Sequence, residues 1–321
     1  MGMGLRAKLG IYVPMYGGWL RDCPVEEKEV SYSYAKQVVL KAEEVGIDSV
    51  WVPDHMLNPI KGEQSASLEA WTTMTALAAS TEKVELFNTC LCQGFRHPSV
   101  LAKMATTLSE ISNGRFRLVI GAGWMKREFD AYGLHWDQHD VLIDRGREQV
   151  EIIVGLWTEA RFNYRGRFFA VDDGVMEPKP TTVPEIWWAG DSEKSRELTA
   201  DLAQGWLAPG GTPEEMRQRI KDMQRRLEKR GISKKSMRYA MPENLFVGKT
   251  DEEAKERVKS LTGGSAAILD SILRTGFVGS AETVIGRIKE FDKIRLDYII
   301  FQISPALDML EELNRQVIPN L

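Results

Sequence analysis

The chain has 321 residues, of which 43% are hydrophobic and 27% are charged, and its formal net charge is −4. This composition is typical of a folded globular protein, and the negative charge argues against nucleic acid as the main partner. The sequence contains neither an apolar run near the ~20 residues that span a bilayer nor the apolar core of a signal peptide, which predicts a cytoplasmic protein away from membranes.

Apolar strands alternate with amphipathic helices along the whole chain. The eight predicted strands are Leu9–Pro14, Ser49–Pro53, Val84–Leu91, Phe116–Ile120, Glu185–Ala189, Trp206–Ala208, Arg238–Val247 and Tyr298–Ile303. The helices predicted between and after them are Ser31–Val45, Leu68–Ala79, Pro98–Ile111, Lys126–Tyr132, Arg145–Trp157, Glu193–Ala203, Pro213–Lys229, Asp251–Leu261, Ala281–Phe291 and Ala306–Ile318. This order predicts an α/β fold, a single (β/α)8 TIM barrel over residues 1–321. An open doubly wound sheet is disfavoured because the first connection, Met15 to Val30, lacks a G-x-G-x-x-G motif.

Two segments interrupt the alternation and are predicted to be insertions, at about 161–184 and 263–278. In the first, Tyr164-Arg165-Gly166-Arg167-Phe168 has the pattern of a hairpin and is followed by a proline-rich exit. In the second, residues Gly263 to Gly276 are weakly patterned, and we expect a loop that covers the mouth of the barrel.

Functional side chains of such barrels follow the carboxyl ends of the strands. His55 ends the second strand, so we expect its ring at the barrel mouth, with the adjacent Asp54 holding its tautomer. A histidine that only caps the strand is the alternative. Tyr16, Cys90 and Asn244 follow other strands and are candidates for the same face.

The fourth strand runs directly into the glycine-spaced turn Gly121-Ala122-Gly123-Trp124. Glycines at 121 and 123 let backbone approach a flat ligand where a side chain would block it. A plain strand-to-helix turn explains the glycine pair equally well.

The fifth strand ends at Gly190, and a helix begins within three residues. Its first amide groups, together with Ser192 and Ser195, form a predicted phosphate site beside Asp191. An ordinary helix cap is the alternative. The four histidines and three cysteines show no spacing typical of a metal site, so no metal is predicted.

Short motifs follow one another in a specific order. They are Leu68-Glu69-Ala70-Trp71, Ser112-Asn113-Gly114-Arg115-Phe116 leading into Gly121-Ala122-Gly123-Trp124, Glu177-Pro178-Lys179-Pro180, Gly205-Trp206 and Val278-Gly279-Ser280. In this order the chain resembles the luciferase-like flavin-dependent monooxygenases, a family of (β/α)8 barrels, and most of all their dimethylsulfone and alkanesulfonate branch. The resemblance covers nearly the whole sequence.

The resemblance implies an FMNH2-dependent monooxygenase of a two-component system, supplied with reduced FMN by a separate NAD(P)H-dependent flavin reductase. A flavin peroxide would insert one oxygen atom from O2 into a small organic substrate, for example an organosulfur compound. The predicted catalytic residues are His55, Asn244 and Asp54. The predicted cofactor-binding residues are Tyr16, His55, Cys90, Ala122, Gly123 and Trp124 around the ring, and Gly190, Asp191, Ser192 and Ser195 around the phosphate.

The sequence departs from the sulfonate branch at several positions. Pro242-Glu243-Asn244 stands where those relatives carry a catalytic arginine-x-histidine, which argues against simple alkanesulfonate specificity. Two alternatives stay open: an oxidoreductase that uses the deazaflavin coenzyme F420, and a non-catalytic flavin-binding protein. Apolar faces on the early helices favour a homo-oligomer, a dimer or tetramer. We expect the cationic candidates for anion binding to form ion pairs instead; they are Arg96, Lys126, Arg127 and Arg274.

Overall fold

Eight parallel strands close into a ring. The computed structural model describes residues 5–17, 29–262 and 265–321. In chain order its strands are β1 (Lys8–Tyr12), β2 (Ser49–Val52), β3 (Glu85–Asn88), β4 (Leu91–Cys92), β5 (Phe116–Gly121), β6 (Phe162–Arg165), β7 (Ala170–Gly174), β8 (Ile186–Ala189), β9 (Gly205–Leu207), β10 (Arg238–Val247), β11 (Phe277–Gly279) and β12 (Tyr298–Gln302). Parallel pairing runs β1–β2–β3–β5–β8–β9–β10–β12 and returns to β1. The predicted (β/α)8 TIM barrel is confirmed.

Helices connect successive strands on the outside of the barrel. They are α1 (Tyr32–Val45), α2 (Ala70–Ala78), α3 (Pro98–Ile111), α4 (Lys126–Ala131), α5 (His139–Thr158), α6 (Glu193–Leu202), α7 (Pro213–Lys229), α8 (Asp251–Leu261), α9 (Ala266–Thr275), α10 (Ala281–Lys293) and α11 (Ala306–Glu312). Helix α5 begins six residues before the predicted start at Arg145. Within the described ranges, no helix is both long enough and apolar enough to cross a membrane.

Large aromatic side chains fill the inside of the barrel. Trp51 and Phe87 stack with ring centroids 4.0 Å apart, and Trp187 and Tyr298 pack edge-on against them. Gly205 makes room for this cluster, because a Cβ at this position would overlap the Trp187 indole. The barrel axis is therefore a packed core, and ligand sites lie at its rim.

The third predicted strand, Val84–Leu91, is interrupted in the structure. Strand β3 ends at Asn88, and the chain leaves the ladder for two residues before β4 rejoins β5 with Leu91 opposite Ile120. The Thr89–Cys90 peptide bond in this interruption is cis. The polar pair Asn88-Thr89 stands at the break, but the apolar residues on both sides favoured one uninterrupted strand.

The prediction of a loop from Gly263 to Gly276 is wrong over its described part. Residues Ala266–Thr275 form α9, and Ser265 caps the helix by accepting a hydrogen bond from the Ile268 amide at 3.4 Å. Ile268, Leu269 and Ile272 have helical spacing and pack against Phe246 and Val258. Residues 263 and 264 lie outside the described chain.

The first insertion contains the predicted hairpin, formed by the antiparallel strands β6 and β7. The buried carboxylate of Glu148 on α5 accepts hydrogen bonds from the backbone amides of Arg167, Phe168 and Phe169 at 2.6, 3.0 and 3.1 Å. These contacts fix the hairpin turn against the outside of the barrel.

Candidate active site at the barrel rim

The parallel barrel brings the predicted site segments to one rim. His55 follows β2, the turn Ala122-Gly123-Trp124 follows β5, and Gly190-Asp191-Ser192 follows β8. Asn244 lies on β10, beside Gln302 of β12 in the register. Since all eight strands point the same way, these segments surround a single opening.

His55 is held by a residue that the sequence did not indicate. Its Nδ1 lies 3.1 and 3.2 Å from the two carboxylate oxygens of Glu128, on α4. The same carboxylate accepts hydrogen bonds from the backbone amides of Met56 and Leu57 at 2.7 and 3.0 Å. Glu128 is 2% exposed, so it fixes both the imidazole and the chain that carries it.

The expectation that Asp54 holds the His55 tautomer is wrong. The Asp54 carboxylate instead binds both terminal nitrogens of Arg96, at 2.8 and 3.0 Å, and accepts the Cys92 amide at 3.0 Å. Arg96 also donates to Glu69 at 2.6 Å. Burial alone would lower the pKa of Arg96, but the two carboxylates raise it above its ordinary value.

Asp54 therefore belongs to a buried ion-pair network next to the candidate site. This network ties the end of β2 to the segment after β4, because Asp54 contacts both Cys92 and Arg96. Asp54 lines the cavity beside His55, but both of its carboxylate oxygens are already hydrogen-bonded, so it supports the rim.

A small cavity of about 60 Å³ lies beside His55. Trp124 is 68% exposed at its edge, and its ring meets the His55 ring edge-on with centroids 5.4 Å apart. The other lining residues include Cys90, Cys92, Gly123, Glu128 and Phe129. Predicted ring-binding residues thus lie together with His55.

Close backbone approach explains both glycines of the turn. A Cβ at Gly121 would overlap the Cys90 sulfur, and Gly123 has φ +90° with the Cys92 sulfur against it. Burial, with the Asp54 charge acting in the same direction, raises the pKa of the Cys90 thiol to about 12. The thiol beside the turn is therefore neutral at physiological pH.

Tyr16 and Ala122 lie deeper than expected for ligand-contacting groups. Tyr16 is fully buried, and its ring centroid lies 6.2 Å from that of His55. Burial raises the pKa of the Tyr16 phenol well above its usual range, and the charges of Asp54 and Glu128 add to this effect. Ala122 is 5% exposed and accepts a hydrogen bond from the Gln93 amide through its carbonyl.

The residues of the predicted anion site lie at the start of α6. Ser192 caps the helix and accepts the Ser195 amide at 3.2 Å, while Gly190 has φ +139°. The Ser195 hydroxyl is buried and accepts the Trp188 indole N–H at 3.3 Å. The amides that precede Ser195 in the first turn are available to an outside acceptor, as at any helix start.

Asp191 enters this site as an ion-paired carboxylate. Its oxygens lie 3.1 Å from Arg196 Nε and 3.5 Å from Arg219 Nε. Two guanidinium groups therefore flank the helix start; Asp191 pairs with both, and Asp222 pairs with Arg196 as well. An anion bound here would meet Asp191 through its backbone amide, because its side chain is negatively charged.

The cationic candidates form ion pairs, as predicted. Lys126 pairs with Asp130, Arg127 with Glu63, and Arg274 with Glu215, at 2.6, 2.7 and 2.8 Å. Arg96 pairs with Asp54 and Glu69 and, in contrast to the other three, is mostly buried.

A second cavity, of about 180 Å³, lies where β9, β10 and β12 end. Glu243, Asn244 and Gln302 line it from the strands, and α9 covers it with Ile268, Ser271 and Thr275. The sequence predicted Asn244 at the rim and a covering segment at residues 263–276, but it predicted a loop where the structure has helix α9.

Comparison with known proteins places the chain among flavin enzymes. A family profile described as luciferase-like monooxygenase matches residues 19–298. An FMNH(2)-dependent dimethylsulfone monooxygenase of Pseudomonas fluorescens is 26% identical over 249 residues, 77% of this chain and 67% of that protein. The pyrimidine monooxygenase RutA of Rhizobium rhizogenes is 28% identical over 289 residues, 87% of this chain and 77% of that protein. A solved F420-dependent secondary alcohol dehydrogenase, in complex with an F420-acetone adduct, shares the fold with a TM-score of 0.80 at 20% identity, over 98% of both chains.

Proposed function

The chain belongs to the luciferase-like monooxygenase family and is an oxidoreductase, and we propose that it is the oxygenase of a two-component system that uses reduced FMN. A separate NAD(P)H-dependent flavin reductase would supply the cofactor, and one oxygen atom of O2 would enter a small organic substrate. The observation that carries this proposal is the joint placement of His55, the glycine turn and the α6 helix start at one rim.

The residues at the rim fit a flavin mononucleotide. Because Gly121 and Gly123 have no side chains, the end of β5 and the turn after it pack against the Cys90 and Cys92 sulfurs, and Gly123 and Trp124 line the cavity beside His55, where a flat ring would lie. The start of α6, with Arg196 and Arg219 nearby, suits a phosphate group. When bound, the reduced cofactor supplies the electrons that activate O2.

The chain's own groups would then position and protect the reaction. With Nδ1 bonded to Glu128, the His55 ring keeps one orientation, and Nε2 is the atom that holds or moves a proton. Trp124 and Phe129 shield this edge from water. Asn244, across the opening, would help place the substrate.

Two variants test the assignment through flavin titration and through O2 consumption coupled to a flavin reductase. Ser192→Glu should weaken FMN binding at least tenfold, because a carboxylate would face the phosphate. Ser280→Glu, which alters the same kind of cap on α10, is the matched control and should leave FMN affinity unchanged. His55→Ala should lower turnover far more than FMN affinity.

Unchanged FMN affinity in Ser192→Glu would place the phosphate elsewhere. Equal losses of turnover and affinity in His55→Ala would remove its catalytic assignment.

A deazaflavin oxidoreductase is the second candidate, because a protein of the same fold is named for F420. Titration of the purified protein with each cofactor distinguishes the two. Saturable binding of F420 without binding of FMN, and hydride transfer without O2 consumption, would replace the monooxygenase proposal.

We also propose that the protein is cytoplasmic and forms a homo-oligomer through α2 and α3. Val100 and Ile111 of α3 are 55% and 38% exposed, and they border an apolar surface groove with Trp71 and Met104. Exposed apolar groups grouped in this way are typical of an interface.

A further inference from the structure

The cavity under α9 is separate from the cavity beside His55. Strands β10 and β2 are three strand spacings apart around the barrel wall, through β12 and β1, or about 14 Å at ~4.8 Å per strand. At ~30 Å³ per water, the α9 cavity has room for about six waters. It is therefore suited to a small molecule that approaches a reactive centre from the opposite side of the opening.

Asn244 gives this cavity an unsatisfied hydrogen-bonding group. The residue is 7% exposed and lines the cavity, and its Oδ1 has no hydrogen-bond partner among the described residues. Buried amide oxygens of folded proteins are almost always bonded. A ligand that donates an N–H to this oxygen would remove the deficit.

The charges around the cavity disfavour an anionic ligand. Glu243 is 8% exposed, and the Thr275 hydroxyl donates to its carboxylate at 2.9 Å. Arg274 at the edge is paired with Glu215. Arg287 interacts electrostatically with Glu243 and partly balances its negative charge. One terminal nitrogen of Arg287 donates to the carbonyls of Arg274 and Thr275, so this nitrogen is not presented to a ligand.

We propose that the α9 cavity binds a neutral substrate through a carboxamide-type edge, an N–H beside a C=O, as found in lactams, cyclic imides and pyrimidine diones. The Asn244 side chain carries both an acceptor and a donor, so it pairs with such an edge through two hydrogen bonds. This inference rests on the proposed oxygenase function and names the class of its substrate.

The alternative ligands lack the matching group. A sulfone offers only acceptor oxygens and leaves the Asn244 Oδ1 unsatisfied, and a sulfonate adds a negative charge near Glu243. Specificity would follow from this mismatch, because a site built around a hydrogen bond rejects analogues that lack the donor.

Calorimetric titration of the wild-type protein tests the proposal, both without cofactor and with saturating oxidised FMN. The probes are uracil, 1,3-dimethyluracil, dimethyl sulfone and methanesulfonate. We expect uracil to bind at least tenfold more tightly than its dimethyl analogue, and the two sulfur compounds to bind no better than that analogue. This comparison depends on no variant.

Asn244→Leu should weaken uracil binding at least tenfold, with Asn320→Leu at the exposed C-terminus as the matched control. The proposal is overturned if N-methylation leaves affinity unchanged, if either sulfur compound binds more tightly than uracil, or if no probe binds. FMN titration of the same samples distinguishes failure of the proposed substrate class from failure of the proposed function. If FMN binds while uracil does not, only the substrate class is wrong; if FMN fails to bind, the proposed function itself is wrong.

Discussion

Glu128 joins three hydrogen-bond donors to one buried carboxylate. Glu128→Ala should therefore lower the free energy of unfolding by about 2–4 kcal/mol, since the amides of Met56 and Leu57 lose their acceptor. It should also lower turnover as His55→Ala does. Urea unfolding and coupled O2 consumption measure the two effects.

Glu63→Ala is the matched control for this variant. Its carboxylate is 41% exposed and pairs with Arg127 on the surface, so a change within about 0.5 kcal/mol is expected. Equal losses in both variants would show that the bonds of Glu128 do not stabilise the rim.

Cys90, which is half-buried and lines the cavity beside His55, offers a test of the environment there. With its pKa raised to about 12, about one thiol in ten thousand is ionised at pH 8. Native protein should resist iodoacetamide at Cys90 at pH 8, and the labelling rate should rise about tenfold per pH unit up to pH 11. The Cys90 thiol has a lower pKa in the unfolded chain than in the folded protein, so above about pH 9 it ionises more readily when the protein is unfolded. The free energy of unfolding should therefore fall progressively above pH 9.

Peptide mass spectrometry reads the labelling at Cys90 separately from the other cysteines. Labelling in urea at pH 8 is the positive control. Equal rates in native and unfolded protein would mean that the thiol is exposed.

At the scale of elements, replacing two different glycines by alanine should change the stability of the barrel in opposite directions. Gly205→Ala in β9 should destabilise the barrel by about 1–3 kcal/mol, because the added methyl would overlap the Trp187 ring. Gly286→Ala in α10 meets nothing within 4 Å and should stabilise it by about 0.5–1 kcal/mol. Urea unfolding of both variants checks the signs, and a stable Gly205→Ala would mean that the aromatic cluster repacks.

The elements differ in how well local pattern predicts them. Strand β8 is a continuous apolar run bounded by proline and glycine, and the predicted Glu185–Ala189 differs from it by one residue. Helix α9 has apolar residues at helical spacing, but it is short and stands between glycines, which favoured the prediction of a loop. The break between β3 and β4 is marked only by the polar pair Asn88-Thr89, and the buried Leu91 and Cys92 beyond it continue the apolar pattern of a strand.

At the scale of the whole molecule, the proposed homo-oligomer can be tested by placing a charge on its expected interface. Val100→Lys should shift the protein from dimer or tetramer toward monomer in light scattering after size-exclusion chromatography, because a charge would enter the apolar groove. Val183→Lys, at a site 47% exposed elsewhere on the surface, should not. Identical masses for the two variants would exclude this face.

Hydrogen-bond and ion-pair partners that are distant in the chain cannot be predicted from the sequence pattern. The rim position of His55 follows from its strand, but Glu128 lies 73 residues further along the chain. Asp54 was the nearer carboxylate, yet Arg96, 42 residues away, binds it. Such pairings depend on which loops the closed barrel brings together, and spacing along one element carries no information about them.

The aromatic core of the barrel limits the routes by which molecules can enter and leave the site. Trp51, Phe87, Trp187 and Tyr298 fill the barrel axis, so the proposed cofactor and substrate would both enter from the rim at the carboxyl ends of the strands. Whatever binds first narrows the way for each later molecule. The order in which molecules bind and leave at this rim would then contribute to the selectivity of the reaction.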